Sequence, residues 1–261
     1  MKREWLALLS AVQFLTRLPV PDPGWEDGRL DRAAKWFPLV GVLVGLLCGA
    51  VFFVLLSFVE RGVPHIEIAV LFGVLITGAL HEDGFADTAD GFFGGRSAEK
   101  RLTIMRDSRI GTYGAIALVF ALLLRISLYG EFFSPLISNV SYTATVAAAF
   151  IAAHAVSRCL ILWHVSAIPY ARADETPPMT AVSKGSAMTA GLITLGACLP
   201  LALSVSLGAV AMGLLLAGAS AFAFTRMAKA RVNGWSGDTA GATQVISELC
   251  FLMGFAAWIW S

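Results

Sequence analysis

Apolar stretches of bilayer-crossing or near-crossing length recur along almost the whole chain. They run Phe37–Val59, Ile66–Leu80, Tyr113–Tyr129, Val140–Trp163, a long pair from Ala187 to Phe224, and Val245–Trp260. A transmembrane helix needs about 20 mostly apolar residues, so the long pair must hold two spans, turning near Ser204–Gly208 with Pro200 helping to break it. Only 14% of the 261 residues are charged, the mean hydropathy is +0.74 and 57% are hydrophobic. A soluble domain of this size carries about 25% charge. The predicted fold is all-α: one polytopic bundle over residues 1–261, with about seven spans.

The segment before Leu18 is short for a span and carries Gln13 and Arg17, so it is predicted as an interfacial or half-inserted helix. It has no small-residue cleavage site and does not read as a removed signal peptide. Sixteen of the 19 Lys and Arg residues fall in the segments 1–36, 81–112, 170–186 and 225–244. By the positive-inside rule these face the cytoplasm, and Ser261 faces out. The net charge of +1 argues neither for nor against nucleic acid. Cys48, Cys159, Cys198 and Cys250 all lie in apolar segments without metal-ligand spacing and read as packing residues.

Directly after the second stretch comes His81-Glu82-Asp83-Gly84-Phe85-Ala86-Asp87-Thr88-Ala89-Asp90-Gly91. Carboxylates at a membrane edge are costly unless something positive binds them, which marks a functional site. On a helix Asp83, Asp87 and Asp90 share one narrow face, where each like-charged pair repels by roughly 0.2–0.5 kcal/mol. A divalent cation would reverse that penalty. An oxygen-rich set suits Mg²⁺ or Mn²⁺, and Mg²⁺ is usually held by one or two carboxylates plus substrate phosphates. The metal candidates are Glu82, Asp83, Asp87, Asp90 and Asp107. His81 is either a ligand or a residue that orients an Asp or sits at the interface.

Ser97 reads as the N-cap of a short helix carrying Leu102 and Met105 on one face. The segment holds Arg96, Lys100, Arg101, Arg106 and Arg109, a density suited to phosphates or to anionic lipid. Asp107 is a further ligand or the salt-bridge partner of Arg106 or Arg109. A second polar cluster, Arg226 to Ala242, carries Asn233, Asp238 and glycines 234, 237 and 241, and reads as a loop that lets backbone approach a ligand. Arg125 and Arg158 either snorkel to opposite interfaces or line a polar cavity. His154 and Arg158 share a helix face.

Four ordered motifs resemble cobalamin synthase, the adenosylcobinamide-GDP ribazoletransferase family. They are Phe14-Leu15-Thr16-Arg17-Leu18-Pro19-Val20-Pro21, Trp36-Phe37-Pro38-Leu39-Val40-Gly41, the acidic run, and Met105-Arg106-Asp107-Ser108-Arg109-Ile110-Gly111-Thr112-Tyr113-Gly114. Ser236-Gly237-Asp238, Gly241-Ala242 and Glu248 are similar more loosely. The 170–186 segment departs from the family pattern, and no role is assigned to it. The resemblance implies a Mg²⁺-dependent enzyme at the cytoplasmic (inner) membrane, with its active site facing the cytoplasm. Adenosylcobinamide-GDP would react with α-ribazole or its 5′-phosphate, a ribose hydroxyl attacking the phosphorus on the cobinamide arm and GMP leaving. The implied partners are these substrates, the lipid bilayer and other late enzymes of vitamin B12 synthesis, with no nucleic acid.

On that reading Asp83 and Asp87 hold the metal, and Asp90 is a third ligand or the general base. Arg106 and Arg109 contact the diphosphate, and Thr16 and Arg17 help at the entrance. His81, Lys100, Ser108, Asn233 and Asp238 complete the substrate-binding candidates. A prenyltransferase of the UbiA type would carry a second Asp-rich motif, where Asp238 stands alone. A CDP-alcohol phosphotransferase would place an Arg where Asp87 sits. A transporter would want its carboxylates near mid-membrane in broken or repeated helices.

Overall fold

The structure is a computed structural model describing residues 2–24, 26, 28–58, 64–130, 140–172, 174–180 and 182–261. Val59, the expected end of the first span, and Arg61 lie outside the described residues. Eleven α-helices are described: α1 (Lys2–Leu15), α2 (Arg29–Ala33), α3 (Phe37–Phe58), α4 (His65–Thr77), α5 (Leu80–Gly94), α6 (Ala98–Met105), α7 (Thr112–Gly130), α8 (Val140–Ala167), α9 (Lys184–Ser204), α10 (Leu207–Val232) and α11 (Gly237–Trp260). Six helical stretches are long and apolar enough to cross a membrane, and the bent pair α4–α5 makes a seventh if counted as one span. The chain is a multi-pass membrane protein. The expected turn between the paired spans is Val205–Ser206, and Pro200 sits inside α9. At 14 residues, α1 is too short to cross and packs on α2 and α3.

α8 is the hub, packed against α3, α9, α10 and α11. Its closest neighbour is α3, which presents Gly41, Gly45 and Gly49 at a spacing of four. A Cβ on Gly45 would lie 2.6 Å from the Ile151 Cα, and one on Gly49 would lie 2.9 Å from the Ala147 Cβ. In lipid, helices associate by packing rather than by hydrophobic burial, and small residues let backbones approach. α10 and α11 repeat the device with Gly213 and Gly254.

The apolar stretch before the acidic run does not continue straight through it. α4 stops at Thr77; Gly78 and Ala79 both take left-handed backbone (φ 64° and 56°), and α5 sets off at 87° to α4. Gly78 N–H donates to the Leu75 carbonyl and Ala79 N–H to that of Val74, the paired closure of a Schellman motif. The Ala79 carbonyl then accepts from Asp83 N–H, 2.8 Å away, and opens α5. Arg17 folds over the bend: its N–H donates to the Ile76 carbonyl at 2.7 Å, and its side chain lies where a Cβ on Gly78 would project. The acidic run is helical, as expected, but on a new axis.

Candidate active site

α5 lies against the first turns of α11. A Cβ on Gly84 would meet the Asp238 Cα at 2.9 Å, and one on Gly241 would meet the His81 carbonyl oxygen at 3.1 Å. The glycines expected in a ligand-cradling loop therefore have another use. Gly237 and Gly241 belong to α11, which begins at Gly237 with Ser236 as N-cap in a full capping box with Thr239. Asn233 is the left-handed C-cap of α10. Only residues 233–236 link the two helices, and Asp238 is delivered in the first turn of α11.

That first turn is held from below and from the side. His164 of α8 hydrogen-bonds Thr225 of α10 at 2.7 Å and Thr239 of α11 at 3.1 Å, each through one ring nitrogen. Trp235 N–H donates to the Pro169 carbonyl and Ala171 N–H to that of Trp235, both at 2.8 Å. This backbone pairing fixes the segment after α8, so that Arg172 reaches Asp238 at 2.8 Å. Glu175 lies 3.6 Å from Arg172 and pairs with Arg106, which is 3.5 Å from Asp174. The segment left without a role at the sequence level thus forms one wall of the site, with Arg172 as a missed residue. Its sequence signal was an arginine just beyond a span on the basic side.

The acidic residues divide among different tasks. Asp83 is exposed and Asp87 half-buried, and neither accepts a hydrogen bond or joins an ion pair among the described residues. Asp87 feels the charges of Asp83, Asp238 and Asp90 together. Asp90, expected as a ligand or base, has both oxygens occupied: Gly111 N–H donates to one at 2.7 Å and Gly114 N–H to the other at 2.9 Å. It closes the N-terminus of α7, where orphan N–H groups and the helix dipole favour an anion.

Glu82, expected at the metal, turns into the bundle instead. Its Oε1 accepts from Arg125 of α7 at 2.8 Å, and Arg125 Nε is 3.1 Å from Glu248 of α11. Gln244 Nε2 donates to Glu248 at 2.7 Å and to Ser157 at 3.0 Å. Arg158 donates to His154 Nδ1 at 3.1 Å, so the ring accepts there, and the 3.6 Å approach of Glu248 is no ion pair. Arg125 and Arg158 are 5% and 1% exposed; neither snorkels, and both line a buried polar pocket. A charge at the bilayer centre costs about 2.5–3.5 kcal/mol, which explains why Glu82, Arg125 and Glu248 are found together. Glu248 was legible as an acid inside a span, a default sign of a partnered site.

The basic segment follows its expected local structure. The Ser97 side chain accepts from Lys100 N–H and caps α6, and Met105 packs on Gly91. Arg101 donates to the Arg231 carbonyl at 2.9 Å, and Arg231 to that of Phe92 at 2.7 Å, which ties α6 to α10 and α5. Asp107 is the partner of Arg109, whose Nε, Nη2 and backbone N–H all donate to it. These bonds hold its carboxyl down at about 2, so the ion-pair alternative is the one found. Lys100, Ser108 and Arg109 are exposed. Thr16 is buried with its hydroxyl on the Val12 carbonyl.

A cavity of about 180 Å³ opens beside Asp83 and Asp238. Its walls are otherwise largely apolar: Phe14, Leu30, Phe37, Val165, Met179 and Trp235 contribute from α1, α2, α3, α8 and the two loops. His81 also lines it, and its Nε2 has no hydrogen-bond partner among the described residues.

The family model described as cobalamin-5-phosphate synthase matches residues 7–256. The chain belongs to the cobalamin-5-phosphate synthase family. It is 42% identical over 258 residues to the adenosylcobinamide-GDP ribazoletransferase of Azorhizobium caulinodans, covering 94% of this chain and 93% of the relative. The ribazoletransferase of Rhizobium johnstonii is 39% identical over 250 residues, at 94% of each chain. That of Ralstonia pickettii is 37% identical over 265 residues, at 99% of this chain and 98% of its own. No solved structure matches the chain. The family resemblance read from the four motifs therefore extends across nearly the whole sequence, including the 170–186 segment that departs from the expected pattern.

Among the described residues, no three His, Cys, Asp or Glu side chains gather tightly enough to hold a metal ion by themselves. The donor set nonetheless fits Mg²⁺, which needs only one or two carboxylates when phosphate oxygens and water complete its shell. Asp83 and Asp87, one helical turn apart and without partners among the described residues, are the residues of this synthase family member that would hold it.

Proposed function

We propose that this chain is a membrane transferase that joins adenosylcobinamide-GDP to ribazole and releases GMP, with Asp83, Asp87, Asp238 and Arg172 at the reacting diphosphate. The observation that carries the reading is the meeting of α5 and α11 at Gly84 and Asp238, 154 positions apart in sequence, which sets two carboxylates, unpaired among the described residues, beside a third that is paired with an arginine. The family membership supplies the substrates.

The ribose hydroxyl attacks the phosphorus on the cobinamide arm; a new P–O bond forms as the bond to GMP breaks, and GMP carries off the bridging oxygen. Breaking a diphosphate needs positioning and charge neutralisation above all. Mg²⁺ held by Asp83 and Asp87 would neutralise diphosphate oxygens and stabilise the leaving GMP. Arg172 turns from Asp238 to a phosphate oxygen when substrate arrives, and Arg106 leaves its exposed pairing with Glu175 to do the same. Asp238, freed of Arg172, accepts the proton of the attacking hydroxyl. Asp90 and Glu82 act through position, the first by fixing α7 and the second by pinning α5 to the bundle.

The active site faces the cytoplasm of the inner membrane in this proposal, since 16 of the 19 Lys and Arg residues fall in the segments that lie at or run into this end of the bundle. The test is GMP release by the purified protein in nanodiscs from adenosylcobinamide-GDP plus α-ribazole, with Mg²⁺ and with EDTA. Mg²⁺-dependent GMP release with a corrinoid product carrying the new nucleotide loop supports the reading. No release from folded, lipid-supplied protein overturns it.

A further inference from the structure

The cavity beside the carboxylates has a composition that selects among the chemical units of the two substrates. Among the described residues its only charged lining side chains are Asp83 and Asp238, and no Lys or Arg lines it. A phosphate would be repelled there without a cation. A carboxylate could take the N1–H and N2–H donors of guanine, but the walls of Phe14, Leu30, Phe37, Val165 and Met179 would leave its O6 and N7 acceptors unpaired. A corrin ring is far too large for about 180 Å³. A dry cavity of roughly 150 Å³ lined by Leu, Ile and Phe takes benzene, so this one is of the size for a small flat aromatic.

We propose that this cavity seats the apolar bicyclic base of ribazole, with the ribose at its mouth beside Asp83 and Asp238. The assignment rests on the transfer reading above and adds the location of the acceptor substrate. A benzimidazole riboside is two-ended, apolar at the base and polar at the sugar, and the cavity is two-ended in the same sense. His81, whose Nε2 is buried without a hydrogen-bond partner among the described residues, and Trp235 are the neutral polar side chains among the described lining residues. The diphosphate then lies outside the cavity, on the side of Arg172 and Arg106, and the attacking hydroxyl lies between the two substrates.

The arrangement also makes the walls the determinant of which base is accepted. Leu30 stands on the short α2 and Met179 on the loop after α8.

The test is isothermal titration of the nanodisc protein with α-ribazole alone, together with separate KM values for the two substrates. Leu30→Trp and Val165→Phe fill the cavity, and the first keeps the test decisive if the second fails to insert. Each should weaken ribazole binding and raise its KM by about tenfold or more, leaving the KM for adenosylcobinamide-GDP unchanged. Met179→Ala should accept a riboside with a bulkier tricyclic base that the parent protein rejects. Unchanged ribazole affinity in both filled variants overturns the proposal. So does a rise confined to adenosylcobinamide-GDP, or a lipid that occupies the cavity and is not displaced by ribazole. Failure of the transfer reading looks different: ribazole binds the parent protein, but no GMP is released.

Discussion

Gly84 of α5 lies so close to Asp238 of α11 that a Cβ at position 84 would come within 2.9 Å of the Asp238 Cα. The crossing that brings the carboxylates together therefore depends on the absence of a side chain. Gly84→Ala should push the helices apart and reduce GMP release by about 100-fold, since misplacement of about 1 Å costs that much. Gly94→Ala is the control: it would meet nothing nearer than the Ile104 Cδ1 at 3.5 Å, and its turnover should stay near that of the parent protein.

Asp83→Asn and Asp87→Asn should each abolish GMP release while leaving the detergent-solubilised protein monodisperse and its melting temperature unchanged or raised. Neither carboxylate has a partner to lose among the described residues, and removing one relieves repulsion of roughly 0.2–0.5 kcal/mol per neighbour. Raising Mg²⁺ should not restore Asp87→Asn if the side chain is a direct ligand. Full activity in both variants would remove the metal-site assignment.

Asp90→Asn should behave differently from Asp83→Asn. An amide keeps one acceptor for the α7 N-terminus, so activity should fall only in part. Asp90→Ala leaves both N–H groups unpaired and should cost about 1–3 kcal/mol of stability, read as a lower melting temperature.

Breaking the buried pair should harm folding before chemistry. Arg125→Met leaves Glu82 and Glu248 without their shared cation, and loss of one partner of a buried pair costs about 3–5 kcal/mol. Poor insertion and early thermal unfolding are expected. The triple change Glu82→Gln, Arg125→Met and Glu248→Gln should recover much of that stability, which a circular-dichroism melt would show.

Asp107→Asn should lower the melting temperature only slightly, the pair being exposed, and should leave the pH–rate profile unchanged. Arg109 holds the Asp107 carboxyl at about 2, below the usual aspartate value of about 3.9. Any stability it adds is present above the unfolded value and lost only as pH falls toward 2, outside the range in which activity is measured. A shift in the Mg²⁺ dependence of this variant would return Asp107 to the ligand set.

The spans and the helical nature of the acidic run were set by local features of the chain. Span length follows from bilayer thickness, and the caps at Ser97 and Ser236 from contacts within a few residues. The motif resemblance was equally local. The tertiary structure decided what each acid does. Asp83, Asp87 and Asp90 share a helix face and are alike in sequence, yet only Asp90 meets the N-terminus of α7. Glu82, one position from Asp83, points the other way, to Arg125 and Glu248. Arg172 reaches Asp238 because Trp235 and the Pro169–Ala171 backbone pair across two loops. A carboxylate takes its role from the nearest donor or cation, and in a bundle that partner sits on another helix, tens of positions away, aimed by an 87° bend at Gly78 and Ala79.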